Sequence, residues 1–409
     1  MANTIITPTW VGNDIAENFN NKMVLVNNFT REWDDAWRNK PGGAKVGYVT
    51  QCRIPQRFVV NEGQALVQQA ILNQTVPLTI NHQQHVGCGW SSADDALAIP
   101  EARAWYTEPA GLALANKVDT TCGNEVYKSV PNFAGSPGTA ITANATYLNA
   151  VAKLENLAVP TEFKAVLDPL SRAAILNANL ASFNPSGQIS QYFRTGEFNQ
   201  GALGIESWYS GTNAPIHTTG TFTTATPIVS SANQTGSTLA MSGLGTYAFK
   251  QGDTFTVAGV DAANPLSYAD TGQLQGFTIT ADISGTTTGT LPIYPPIITS
   301  GPLQTVTVSP ANNAVVTFTG ATGTVGATMA AQVSRQSLIF HPGAFAFVMA
   351  DLPSKLPGAL SYSARSKKAK LSMRWAEQYN IQTDQMPSRV DVIYGAAAIL
   401  PYFAHRLYS

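Results

Sequence analysis

From Asn213 to Val333 the sequence contains 121 residues but only five charged side chains. The five are Lys250, Asp253, Asp261, Asp270 and Asp282. Short runs such as FTVAGV, GFTITADI and AVVTFTG alternate apolar with polar residues and are separated by Gly, Pro and Asn. This alternation is typical of half-buried β-strands joined by turns. We therefore predict a neutral, Thr-rich all-β domain at residues 218–334, large enough for a small barrel or sandwich.

The segments on either side have the mixed composition of an α+β protein. With 409 residues the chain is longer than one compact core usually needs, so two or more domains are expected. Only 12% of the residues are charged and the net charge is −1, which argues against a dedicated nucleic-acid-binding protein. A neutral polar surface instead favours contacts with other protein molecules. Neither a standard secretory signal nor a membrane-spanning run is present in the sequence.

An amphipathic helix is predicted near the N-terminus. Asp14 and Glu17 have the spacing of a capping box. Four apolar residues recur at helical spacing and form one stripe, which needs one partner surface. They are Ile15, Phe19, Met23 and Val26.

A long hairpin and a long helix are predicted next. The runs VGYVTQCRIPQRFVV and TVPLTINHQQHVGCG both alternate with period two, which indicates a hairpin with an elaborated tip. Pro55 favours an edge strand, because proline lacks a backbone N–H. A helix of about 30 residues, some 45 Å long, is expected up to about residue 130. Pro109 lies inside this helix, and we expect it to form a kink or hinge.

No constellation of residues predicts catalysis or metal binding. Of the five histidines only His82 and His85 are close, and positions three apart on a strand face opposite sides. Three cysteines without CxxC spacing predict reduced thiols rather than a zinc site. The common hydrolase, nucleotide-binding and zinc-protease motifs are absent. We therefore expect no enzyme activity, no cofactor and no metal.

Several segments in order resemble a known family. RIPQRFVVNEGQALVQQAILNQTVPLTINHQQHVGCGWSS and LANKVDTT are similar to that family's extended loop and spine helix. ALGIESWYSGTNAPIHTTGT, GDTFTVAGV and PPIITSGPLQTVTVSPANNAVV are similar to its inserted β domain and the approach to it. LIFHPGAFAFVMADLP and YNIQTDQMPSRVDVIYGAAAILPYFAHRL are similar to its closing segment. The chain thus resembles the coat proteins of tailed phages related to the Salmonella phage P twenty-two.

This resemblance implies the Hong Kong ninety-seven capsid fold with an inserted Greek-key barrel-like domain, whose two ends should lie close together. The implied parts are an N-terminal arm (1–44), an extended-loop hairpin (45–90), a spine helix with peripheral domain (91–135), the first part of an axial domain (136–217), the inserted β domain (218–334), and the completion of the axial domain (335–409).

The resemblance also implies a function without chemistry. Hundreds of copies would assemble as hexamers and pentamers into an icosahedral shell, with a scaffolding protein and a portal protein, in the bacterial host cytoplasm. The shell would enclose double-stranded DNA and expand on maturation, and no membrane would be involved.

Roles for individual residues follow from the same resemblance. Subunit contacts are expected for the helical stripe and for Arg53, Arg57 and Glu62, and scaffold contact for Asp14 and Glu17. Arg103 and Lys117 would face DNA without sequence specificity.

A different class of protein remains an alternative. Neutral Thr-rich β domains also occur in surface adhesion and glycan-binding proteins. Such a protein would need an export signal and would not need a long helix with an internal proline.

Overall fold

The computed structural model describes residues 23–34, 48–91, 102–180, 203–353, 357–365 and 371–409. Three α-helices occur in this part of the chain: α1 (Ala102–Val126), α2 (Asn144–Asn156) and α3 (Pro169–Leu180). Four short 3-10 turns are Val26–Asn28, Tyr127–Ser129, Pro342–Ala344 and Pro401–Phe403.

β-Strands dominate the described residues. The strands before residue 220 are β1 (Val49–Arg53), β2 (Thr75–Thr79), β3 (His82–Ser91), β4 (Asn132–Ala134), β5 (Lys164–Leu167), β6 (Ser207–Ser210) and β7 (Ile216–Thr218). The middle of the chain forms β8 (Thr221–Ala225), β9 (Ile228–Val229), β10 (Gly236–Phe249), β11 (Thr254–Ala263), β12 (Asp270–Ile279), β13 (Ile283–Ile297), β14 (Val316–Phe318) and β15 (Ala327–Met329). The last strands are β16 (Val333–Phe340), β17 (Phe345–Met349), β18 (Leu360–Arg365), β19 (Ser372–Glu377), β20 (Gln385–Ala398) and β21 (Ala404–Tyr408).

Two compact units can be distinguished. The first contains the described residues of Met1–Cys52, Val76–Gly123 and Ala346–Ala397. The second contains those of Arg53–Thr75, Asn124–Phe345 and Ala398–Ser409.

The first unit is organised around a five-stranded sheet and most of helix α1. The sheet has the order β17-β20-β19-β18, and β3 pairs with β20 over ten residues, from His82↔Tyr394 to Ser91↔Gln385. Helix α1 buries an apolar residue at every fourth position, because positions four apart lie on one helix face. These buried residues are Leu114, Val118, Cys122 and Val126.

The predicted hairpin is observed over β1 and β2, but only the first part of its second run belongs to it. The second period-two run is divided near Ile80 and Asn81: β2 pairs with β1, whereas β3 joins the sheet through β20. The first run stops being a strand at Arg53. Pro55 follows two residues later and cannot donate to a ladder, which explains why the strand ends there.

The predicted N-terminal helix lies mostly outside the described residues. Of its stripe, only Met23 and Val26 are described, and the chain there forms a 3-10 turn over Val26–Asn28 rather than an α-helix. The carboxylate of Asp119 on α1 accepts hydrogen bonds from the backbone N–H groups of Leu25 and Val26 at 3.1 and 2.9 Å. These donors therefore belong to the N-terminal end of a turn that Asp119 caps, rather than to the interior of a helix.

The second unit contains two β-sheets. A six-stranded sheet has the order β4-β21-β16-β5-β6, with β7 paired to β16. Its apolar face packs against helix α2, whose buried residues Tyr147, Ala150, Val151 and Leu154 recur at spacings of three and four.

The other sheet of this unit, which we call the β region (221–329), has eight strands. Its order is β14-β11-β12-β13-β10-β8-β15, with β9 paired to β10. Alternate residues point into one apolar core, as Phe255 and Val257 of β11 illustrate. Phe222, Phe249 and Phe318 pack their rings together there, with centroids 4.6 to 6.1 Å apart.

The two ends of the β region lie side by side. Thr218 of β7 pairs with Val333 of β16, and His217 pairs with Ser334 in the same antiparallel ladder. This confirms the expectation that the chain enters and leaves the β region at adjacent points.

Candidate functional site

Residues 54–74, which we call the extended loop, link β1 to β2 and contain no strand. Side-chain amides connect its two limbs in place of a backbone ladder. Gln56 Nε2 donates to the Ala70 carbonyl at 3.0 Å, and the Gln69 side chain accepts from the Val59 N–H at 2.9 Å. Gln69 Nε2 also donates to the Val59 carbonyl. The loop is therefore braced although it has no regular secondary structure.

The extended loop exposes a set of large apolar side chains. Their exposed fractions range from 42% at Leu72 to 91% at Val60. The full set is Phe58, Val60, Leu66, Val67, Ile71 and Leu72. Exposed apolar side chains that recur within so short a segment are typical of surface that is buried against another protein.

The predicted loop residues lie on this same segment. Arg57 is half-buried and places its guanidinium over the Tyr402 ring, 5.1 Å from the centroid. Arg53 is exposed at the end of β1, and Glu62 is exposed in the loop.

The other predicted site residues are not gathered in one place. Met23 and Val26 are buried within the single chain, at 2% and 0% exposure. Lys117 is exposed on helix α1, which also contains Pro109. The side chain of Arg103 lies outside the described side chains, and the residues Asp14, Ile15, Glu17 and Phe19 lie outside the described residues.

A buried polar junction, which sequence reasoning missed, lies where the β region meets the six-stranded sheet. We use this name for Tyr127, His217, Asp253, Thr254, Thr278, Arg406 and Tyr408. The Asp253 carboxylate lies 2.9 Å from His217 Nε2 and accepts from the N–H groups of Gly220 at 3.0 Å and Lys250 at 2.8 Å. The Tyr127 hydroxyl lies 3.1 Å from His217 Nδ1. Asp253 thus holds both the entry strand and the turn before β11.

Arg406 forms the other half of the buried polar junction and is fully buried. It donates to the Gly252 carbonyl at 2.9 Å, and its guanidinium lies 5.8 and 5.6 Å from the ring centroids of Tyr127 and Tyr408. Aromatic faces and a carbonyl offset the desolvation of this cation. Burial raises the pKa of Tyr127 to about 12, so its hydroxyl keeps its proton as a hydrogen-bond donor.

One signal in the sequence could have located this junction. Asp253 follows Gly252 in a segment that carries only five charged side chains. A charged side chain in such a segment either lies in solvent or, if it is buried, has a hydrogen-bonding partner. The alternation of GDTFTVAGV places Asp253 directly before a core strand. That position predicts a buried carboxylate, which requires donors, although it does not identify His217.

His405 on β21 should make the fold sensitive to acid. Burial lowers the pKa of this histidine to about 3, and the nearby charges of Lys153 and Arg406 act in the same direction. The unfolded state takes up a proton below its pKa of about 6.5, whereas the folded state does not until about 3. Stability is therefore lost as the pH falls between these values, by on the order of 1.4 kcal/mol per unit.

We expect the free energy of unfolding of wild type to fall by about 2 kcal/mol more than that of His405→Gln between pH 7 and pH 5. Urea titrations at the two pH values measure this difference. His85→Gln, which replaces an exposed histidine, serves as the control and should follow wild type. An equal loss in wild type and His405→Gln would contradict the assignment.

The described residues contain no group of three His, Cys, Asp or Glu side chains that could hold a metal ion. Within the same ranges, no helix is long and apolar enough to cross a membrane. None of the three cysteines forms a disulfide bond, and burial raises the pKa of the Cys52 thiol to about 11.

Comparisons with known proteins place these features in a family. Residues 67–405 match the family model described as "P22 coat protein - gene protein 5". No curated protein matches the chain.

Several solved structures are similar to the chain. That of Mycobacterium phage Che8 has 13% sequence identity and a TM-score of 0.46, covering 94% of this chain and 91% of the other. The capsid structure of the cyanophage P-SCSP1u has 13% identity and a TM-score of 0.42, covering 100% and 99%. The CUS-3 coat protein I-domain has 24% identity and a TM-score of 0.19, covering 24% of this chain and 96% of the other.

The family match spans more than four fifths of the 409 residues, and it includes the last part of the extended loop (67–74), the whole β region and the buried polar junction except Arg406 and Tyr408. The chain therefore belongs to the P22 coat protein family and is a tailed-phage major capsid protein, a structural component of the virion.

Proposed function

We propose that this chain builds an icosahedral shell from hundreds of its own copies, arranged as hexamers and pentamers around double-stranded DNA. The observation that carries the proposal is the row of exposed apolar side chains on the extended loop. Water contact with six such side chains is unfavourable, and burial against a second copy removes it. The loop is braced before assembly, so ordering it costs little on binding.

We propose the parts of the subunit on the basis of its family membership. We assign the Hong Kong ninety-seven type of capsid fold, with arm 1–44, extended-loop hairpin 45–90, peripheral domain 91–135, axial domain 136–217 and 335–409, and insertion 218–334. Helix α1 corresponds to the spine helix in this assignment. Strand β3 pairs with β20 and not with β1. The extended loop therefore projects from strands β1 and β2.

The β region is proposed to be an inserted Greek-key barrel-like domain. Its central strands have the spatial order β11-β12-β13-β10, in which three consecutive strands are followed by the one that precedes them in sequence. This is the strand order of a Greek key. Adjacent ends, through Thr218 and Val333, are what an insertion requires.

Partners beyond other copies are proposals that rest on the family. A scaffolding protein would contact Asp14 and Glu17, a portal protein would occupy one vertex, and the exposed Lys117, with Arg103, would approach DNA phosphates without reading sequence. Assembly would take place in the bacterial host cytoplasm, and the chain would have no enzymatic activity.

Maturation would be a conformational step. Proline inside a helix removes one i→i−4 hydrogen bond, so helix α1 is weakest against bending near Pro109. We assign Pro109 as the hinge that bends when the procapsid shell expands.

Electron microscopy of the chain expressed in bacteria, alone and together with a scaffolding protein from a related phage, tests the proposed function. Closed shells, spirals or tubes with a regular subunit repeat are the expected result. Small monodisperse particles under both conditions would contradict self-assembly and revive the alternative of a surface adhesion protein.

A further inference from the structure

The extended loop contacts the β region of its own chain at one turn. The Tyr268 hydroxyl donates a hydrogen bond to the Phe58 carbonyl at 3.2 Å. On the neighbouring residue, Arg57 lies over the ring of Tyr402. These two contacts flank one peptide bond of the loop, between Arg57 and Phe58, and both come from the same unit of the chain.

The turn that carries Tyr268 is rigidly built. Asn264 Oδ1 accepts from the N–H groups of Leu266 at 2.9 Å and Ser267 at 3.1 Å, which closes an Asx turn. Asn264 Nδ2 donates to the Asn156 carbonyl, at the end of α2, at 2.7 Å. The Tyr268 N–H donates to the Asn264 carbonyl at 2.9 Å. The turn is thus fixed both internally and to helix α2.

Tyr268 itself has a strained backbone. Its φ angle of 57° lies in the left-handed region, which is uncommon for residues other than glycine and rare for a bulky aromatic. Such strain persists only where the surrounding structure enforces it, and it concentrates at functional positions. The half-buried side chain of Tyr268 is thereby directed to the loop rather than to the core of the β region.

We propose that the turn Asn264–Tyr268, together with Tyr402, is a clip that fixes the direction of the extended loop before a second copy binds. Tyr268 and Tyr402 are positioning residues in this account. The inference rests on the proposed function, because a fixed direction matters when the loop has to reach a neighbouring subunit.

Because the loop is braced internally, contacts at one point are sufficient to fix the direction of the braced segment. The bonds from Gln56 to Ala70 and from Gln69 to Val59 tie the two limbs together just beyond the clipped peptide. The apolar residues at and beyond this brace, including Val60, Leu66 and Val67, then move with the braced segment. Fixing the backbone at Phe58 therefore orients the exposed apolar residues of the braced segment, Val60, Leu66 and Val67.

Trypsin cleavage of the unassembled full-length subunit tests the clip, because the Arg57–Phe58 bond is held from both sides. A bound segment is cut only when it opens locally. We expect Tyr268→Phe to be cleaved after Arg57 about three- to tenfold faster than wild type, as loss of one modest hydrogen bond predicts. Tyr402→Leu should accelerate the same cut, and the double variant should exceed both. Thermal melting points should stay within about 1 °C of wild type, since both side chains are only half-buried and lie outside the core.

Tyr379→Phe is the matched control. Tyr379 is exposed and donates its hydroxyl to Asp384 Oδ1 at 2.9 Å, in the other unit. This variant should be cleaved after Arg57 at the wild-type rate. Equal rates in wild type, Tyr268→Phe, Tyr402→Leu and the double variant would overturn the clip. The measurement needs no shells, so it separates failure of the clip from failure of the proposed assembly.

Discussion

Replacing Leu66 and Ile71 together by aspartate is expected to leave the subunit folded and to abolish shell formation. Both side chains are exposed in the single chain, at 86% and 75%, so their replacement removes little from its core. If the extended loop is buried against a neighbour, two carboxylates are transferred into an apolar contact without partners. That desolvation costs several kcal/mol, and the yield of shells should fall more than about a hundredfold.

Circular dichroism and sedimentation velocity would check this result on the same preparations. The double change Leu170→Asp and Val325→Asp is the matched control, because it alters net charge equally at apolar residues of 71% and 78% exposure. The control should form shells at near wild-type yield. Normal shells from the Leu66→Asp, Ile71→Asp variant would exclude the extended loop as an assembly contact.

Asp253→Ala should cause the largest loss of stability among single changes in the buried polar junction. The carboxylate is 2% exposed and accepts from the backbone of Gly220 and Lys250. Removing it leaves these buried donors, and the ring of His217, without their acceptor. We expect a loss of about 3–5 kcal/mol in the free energy of unfolding.

Urea denaturation followed by tryptophan fluorescence and far-UV circular dichroism measures this loss. Asp282→Ala is the matched control, because Asp282 also accepts from a backbone N–H, that of Gln251 at 2.7 Å, and from Lys250 Nζ at 3.1 Å, but it is exposed. Its loss should stay below about 1 kcal/mol. Similar values for both variants would show that Asp253 does not hold the junction together.

Local patterns predicted much of the β region and the helices. The alternation in GDTFTVAGV corresponds to β11, with Phe255 and Val257 in the core. The long helix predicted up to about residue 130 is observed as Ala102–Val126. These elements depend on residues close in sequence, and periodicity reports such information directly.

Elements that depend on distant partners could not be predicted. Strand β3 pairs with residues about 300 positions later, and nothing within TINHQQHVGCG specifies that partner. The turn at Val26–Asn28 is capped by Asp119, which is 93 residues away from Val26 and accepts from its backbone N–H. Helical spacing of Met23 and Val26 therefore indicated burial correctly but the wrong local conformation.

The candidate site was predictable only in part. The resemblance pointed to the extended loop, and Arg57 does lie in the segment that carries the exposed apolar residues. The contribution of Tyr268 was not predictable, because it comes from a turn 210 residues further along the chain. His217 and Asp253 are likewise 36 residues apart, and no local pattern links them.

The adjacency of Thr218 and Val333 has an evolutionary consequence. Two antiparallel partners are separated by only about 5 Å, so a segment that begins and ends at these residues leaves the ladder of the surrounding sheet intact. A sequence of any length can be accepted between two such points, provided that it folds by itself and returns to its origin. The shell-forming part of the subunit and the β region can therefore diverge at different rates, so that a phage lineage can remodel one while it conserves the other.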